Sequence, residues 1–190
     1  MKFNSLTLVS AAVLALAAAA AAQAQTAATT DAPAAKPAKS LSHKDASFLR
    51  SASDANNAEV DASKTAIAQS GSADVKTFAQ AMADDHSKAE DDLTGLASQK
   101  GVKVSTKPSL TQQAEAKMLA ERKGSSYDQH YADSIGVKAH QDAIKLFQKE
   151  ADKGDDADVK AWATKMLPAL QHHLEMAQAL KTKTDAEPKS

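Results

Sequence analysis

The stretch ADVKTFAQAMADDH, Ala73 to His86, decides the fold class. Its apolar residues Val75, Phe78, Ala79 and Met82 recur at steps of three and four, and Ala89, Leu93 and Leu96 continue the stripe. That spacing follows the turn of an amphipathic α-helix, not the every-second-residue alternation of a strand. Gly71 and Gly101 bracket the run, so a helix is expected from about Ser72 to Lys100. The pattern then returns. In ADVKAWATKM, Ala157-Asp158-Val159-Lys160, Ala163 and Met166 repeat Ala73-Asp74-Val75-Lys76, Ala79 and Met82, with Trp162 answering Phe78. Two long helices that open alike suggest two helix hairpins built alike, the layout of a pseudo-symmetric four-helix bundle.

Working outward, Ser42-His43-Lys44-Asp45 fits a capping box with Asp in place of Glu, and opens a first helix that runs to Ser70. A third long helix is expected from Ser126 to Gly154. A fourth is expected from Asp156, whose carboxylate can cap it, to about Lys181. Between the second and third lie VKVSTKPS, where Pro108 excludes helix just before it, and a short helix from Leu110 to Lys123. No stretch alternates like a strand, so the class is all-α. The first and last pairs are joined by very short connections and form antiparallel hairpins. The long middle connection suits a crossover returning along the bundle, as in ferritin-like folds, though an up-down-up-down bundle with a bulky loop also fits. The expectation is a ferritin-like four-helix bundle with a short extra helix in the crossover between helices 2 and 3.

The flanks differ in kind. MKFNSLTLVSAAVLALAAAAAAQAQ carries a charged Lys2, an apolar run from Leu6 to Ala22 and the small-residue pattern Ala22-Gln23-Ala24. It is expected to be a signal peptide over 1–24, cut before Gln25, which sends the protein to the periplasm or outside the cell. Residues 25–40 are an Ala/Thr/Pro/Lys-rich tether and 182–190 a polar tail, both expected to be disordered around a bundle domain of 41–181. No later run is long and apolar enough to span a membrane once the signal is gone. With no cysteine, disulfides and thiolate metal sites are excluded. A formal net charge of −1, 4% aromatic residues and no basic face argue against nucleic-acid binding.

Each long helix carries one polar intruder on its apolar stripe. In LPALQHHLEMAQAL, Leu167 to Leu180, His173 lies three after Leu170 and three before Met176, on the centre line; His172 is turned to the edge. His86 lies four after Met82 and seven before Leu93. His140 lies four before Ile144 and seven before Phe147. Glu59 lies seven after Ala52 and seven before Ala66. Counted from the expected starts, Glu59 and His173 are about 16–17 residues in, and His86 and His140 about 13–14, so all four fall near mid-bundle. Three imidazoles and one carboxylate suit a single divalent metal: zinc, copper(II), iron(II) or manganese. Asp133, seven before His140, and Glu90, four after His86, are placed as supporting groups or extra ligands. The alternative is a metal-free polar core in which Glu59 pairs with one histidine and Tyr127 or Tyr131 serves another. Met82, Met166 and Met176 invite a copper(I) reading, with packing as the plainer account. Pro168 predicts a kink before His173. His43 and His130 are expected on the surface. No phosphate loop, Gly-x-Ser-x-Gly or His-Glu-x-x-His is present, and the paired Glu-x-x-His units of di-iron bundles are missing.

The segments FLRSASDANNAEV, VKTFAQAMADDHSKAEDDL, HQDAIKLFQKEADKG and VKAWATKMLPALQHHLEMAQ resemble a family of exported bacterial proteins, the domain of unknown function 4142, from about Leu41 to Leu180. Met82-x-x-Asp85-His86 and Leu167-Pro168-x-Leu170-x-x-His173 carry the resemblance most strongly. It implies a ferritin-like four-helix bundle and no established activity, with Glu59, His86, His140 and His173 at recurring positions. Three functions are therefore carried forward: a periplasmic bundle holding one metal ion, a structural or interaction module of the cell envelope with a protein partner, and an oxidoreductase, which would need a redox-active metal.

Overall fold

A computed structural model describes residues 40–187 of the chain. The expected signal peptide, the tether up to residue 39 and residues 188–190 of the tail lie outside the described residues. Helices α1 (His43–Gln69) and α2 (Ala73–Gln99) are followed by the short α3 (Leu110–Ala120). Next, α4 (Gly124–His130), a π-helical segment (Tyr131–Lys138) and α5 (Ala139–Lys153) run on as one rod, and α6 (Ala157–Ala186) closes the domain. Among the described residues there is no strand, as the stripes require.

The helix starts are written in their caps. Ser42 accepts the Asp45 N–H and Ser72 that of Val75. Ser109 and Gln112 form a reciprocal capping box, and Asp156 accepts from the N–H groups of Asp158 and Val159. The box expected at Ser42 is only half closed. The Asp45 carboxylate does not turn back to Ser42; it accepts the backbone N–H groups of Asp155 at 3.1 Å and Asp156 at 2.9 Å. A local cap has become a long-range tie between the foot of α1 and the α5–α6 turn.

These ties settle the topology. Lys44, at the start of α1, donates to the Lys153 carbonyl and pairs with Asp155 at 3.0 Å. Lys100, at the end of α2, pairs with Asp156 and Asp158 at the start of α6, at 2.8 and 2.6 Å. The end of α2, the end of α5 and the start of α6 therefore meet at the foot of α1. The connection from 101 to 123 climbs alongside α1. Ser53 donates to the Ser105 carbonyl part-way up, and Gln69 donates to the carbonyls of Ala120 and Arg122 at the top. The order is up, down, crossover, down, up, and the up-down-up-down alternative does not hold.

Two differences at the helix ends have local causes. The short helix stops at Ala120 and the third rod begins at Gly124, whose φ of 55° lets the chain reverse there. The last helix passes through Pro168 and continues beyond Lys181 to Ala186. Buried Thr184 holds it down by accepting from Gln129 at 3.1 Å, and Lys183 pairs with Asp74 at 2.8 Å. None of the described helices is long and apolar enough to cross a membrane.

The core is in two pieces. A foot cluster joins Phe48, Leu49, Leu93, Phe147, Val159, Trp162 and Leu170, with Phe48 edge-on to Phe147 at 5.1 Å. A top cluster joins Ala66, Val75, Phe78, Met82, Tyr127, Tyr131 and Leu180, with Phe78 edge-on to Tyr131 at 6.2 Å. The sequence repeat now has its physical meaning: Val75 with Phe78 seals one end, and Val159 with Trp162 seals the other. Between the clusters runs a buried polar belt of Asn56, Glu59, His86, His140 and His173.

At the foot, burial and the neighbouring Asp45 push the Glu150 carboxyl up to about 7, and its Oε1 has no partner. A raised acid favours the folded state below its unfolded value, and that contribution is lost as pH rises toward 7. Glu150→Gln is therefore expected to melt roughly 5 °C above wild type at pH 8 and level with it at pH 4, measured by thermal denaturation at both.

Candidate metal centre

His140, on α5, is 1% exposed. Its Nδ1 lies 2.7 Å from the Gly136 carbonyl, which can only accept, so Nδ1 carries the hydrogen. The carbonyl belongs to the π-helical segment, whose wider turn ends just before His140. His86, on α2, makes the matching choice through a relay. The Asn56 Nδ2 donates to Glu90 at 3.2 Å, which turns the Asn56 Oδ1 toward His86 Nδ1 at 3.0 Å. That nitrogen too is the donor.

The consequence meets in the middle. His86 Nε2 and His140 Nε2 stand 3.4 Å apart. A proton between them would make one ring an imidazolium, and the surroundings oppose it. Burial first, and then the two other rings, lower the His86 pKa to about 3. Burial lowers that of His140 to about 4 against the opposing Gly136 bond. Both rings are neutral at pH 7, and two lone pairs face each other with no proton to share.

His173, on α6, closes the triangle. Its Nε2 donates to Asp85 at 3.0 Å, and its Nδ1 is buried without a partner. The ring centroids are separated by 5.5, 5.4 and 5.4 Å, and one nitrogen from each ring lies within 4.8 Å of the others. A tetrahedral ion with bonds of about 2.0–2.1 Å places its ligand nitrogens about 3.4 Å apart. The His86–His140 separation already has that value, and the others, at most 4.8 Å, need to close by no more than about 1.4 Å.

The chain matches the profile of the domain of unknown function DUF4142 over residues 30–180. It belongs to that family. The match spans the whole polar belt of this DUF4142 domain. Neither the curated proteins nor the solved structures offer a significant match.

Of the four residues expected to converge, the DUF4142 fold brings three together. Glu59 stands at the outer side of His140, its Oε1 3.7 Å from Nδ1, beyond hydrogen-bond length. Its Oε2 is buried without a partner, and burial raises its pKa to about 8. Glu90 accepts from Ser53, Asn56 and Asn57 and so reaches His86 through Asn56. Asp133 does not reach it: the side chain is exposed and pairs with Lys181 at 3.3 Å. Placing Asp133 seven residues before His140 on the same face assumes α-helical turns. The intervening π-helical segment turns less per residue and carries Asp133 off that face.

The remaining groups fall as their environments dictate. His43, His130 and His172 are exposed. Tyr131 shares a hydrogen bond with Ser63 at 3.0 Å and serves no histidine. Met82 and Met176 pack in the top cluster and Met166 against the foot cluster. The groups that orient the rings (Asn56, Asp85 and the Gly136 carbonyl) were not singled out from the sequence. Asn56 carried a signal, since adjacent asparagines in mid-helix disfavour the helix unless their amides are used. Asp85 carried a weaker one, standing beside His86.

A histidine with a lowered pKa contributes stability that is present above its unfolded value of about 6.5 and lost as pH falls toward its folded value. In metal-free protein, His140→Gln is expected to reduce the loss of unfolding free energy between pH 7.5 and 4.5 by roughly 2 kcal/mol, measured by urea titration at the two pH values.

Proposed function

We propose that this domain is a metal-binding protein of the cell envelope that holds one divalent transition-metal ion on His86, His140 and His173. The observation that carries the reading is the set of bare lone pairs: each ring spends one nitrogen on an acceptor and keeps the other bare, in a buried triad whose ring centroids stand 5.4 to 5.5 Å apart. Outer acceptors of this kind accompany metal-bound histidines, because they fix the tautomer and orient the ring. An all-imidazole donor set suits zinc, copper(II) and iron(II) best, with manganese a poorer match. Three protein ligands leave one tetrahedral position for water or a small anion. The crossover between the second and third rods supports a ferritin-like reading of the bundle, but the missing Glu-x-x-His pairs speak against di-iron chemistry. The signal-like amino terminus supports a periplasmic or secreted location. A second reading, an interaction module of the envelope, is supported by α3, where Leu110 is 84% and Met118 69% exposed.

Purified full-length protein, stripped and then exposed in turn to zinc, copper(II), iron(II) and manganese, is expected to retain about one equivalent of at least one of them by elemental analysis. That ion is expected to raise Tm by roughly 5 °C or more. The His86→Ala/His173→Ala double variant is expected to retain none. Equal, negligible metal in both proteins would reject the proposal.

A further inference from the structure

The three outer acceptors are not alike. Asn56 is 6% exposed and Gly136 is buried, whereas the Asp85 side chain is 61% exposed. His173 is thus the one member of the triad whose outer partner reaches solvent, and it sits where α2 meets α6.

A neutral imidazole has one N–H, and its position is decided by the better acceptor. For His173 two are on offer. Outside is the Asp85 carboxylate. Inside are the bare Nε2 atoms of His86 and His140. With the hydrogen on Nδ1, a small shift of the ring toward its neighbours, whose centroids stand 5.4 Å away, would let it donate inward, satisfy one of those lone pairs and close the triad on itself without an ion. With the hydrogen on Nε2, the donation goes outward at 3.0 Å and Nδ1 stays bare. A charged acceptor makes the stronger hydrogen bond, so the outward state wins.

We propose that Asp85 is the positioning residue of the centre. By accepting from His173 Nε2 it keeps the triad open, so that the ion is held by two Nε2 atoms and one Nδ1, and His173 is the ligand that exchanges at the surface. The metal part of this inference rests on the function proposed above; the tautomer part does not.

The test uses full-length protein with Asp85→Ala and the conservative Asp85→Asn, whose amide oxygen can still accept. Long-range 15N–1H spectra of the metal-free proteins read the tautomer of His173 directly. Wild type and Asp85→Asn are expected to show the hydrogen on Nε2, and Asp85→Ala is expected to show it on Nδ1. Zinc affinity is expected to fall about 10- to 100-fold in Asp85→Ala and less in Asp85→Asn. A wild-type His173 carrying its hydrogen on Nδ1, or an Asp85→Ala variant with unchanged tautomer and unchanged zinc affinity, would overturn the proposal. Absence of zinc binding in wild type would instead remove the metal reading, and the two failures are told apart because the spectra need no metal.

Discussion

Two imidazole lone pairs 3.4 Å apart, with no proton between them, are the constraint around which the middle of this bundle is built. Neutral rings in water would turn away from each other. Here each ring is held by its far nitrogen, one to a side-chain amide and one to a backbone carbonyl. A third ring, fastened to a carboxylate, adds a further bare nitrogen. Each buried polar atom left unpaired costs about 1–3 kcal/mol, and a leucine layer would remove that cost. The metal ion proposed for this layer would offset that cost by taking up the bare lone pairs.

The rest of the structure makes the layer tolerable. Apolar clusters above and below it hold the four rods together. The crossover brings the second and third rods down in parallel, and the Asp45 tie locks the α5–α6 turn to the start of α1. Each rod then delivers one group at the same height. The π-helical segment makes the finest adjustment: it ends just before His140 and lays Gly136 against α6, where an added Cβ would come within 3.1 Å of the Ala177 Cβ.

The fold was legible in the sequence because period and punctuation are local. The stripe through Val75, Phe78 and Met82, the caps at Ser42, Ser72 and Asp156, and the short hairpin joints all act within a few residues. The same periodicity found His86, His140 and His173, since a polar residue on the centre line of an apolar stripe is buried wherever the stripe is. It could not say which nitrogen of each ring faces inward. That depends on partners on other helices, Asn56 for His86 and Asp85 for His173. Nor could it foresee the π-helical turns, which leave the stripe readable yet break the seven-residue rule that placed Asp133. Glu59 shows the limit from another side. It was expected among the ligands and is buried at the right height, but it stands on the outer side of His140.

X-ray absorption at the metal edge of the loaded full-length protein tests the central claim most directly. The account predicts a first shell of nitrogen and oxygen at about 2.0–2.1 Å with the multiple-scattering signature of three imidazoles. A shell containing sulfur, or one made of carboxylate oxygens without imidazole scattering, would contradict it.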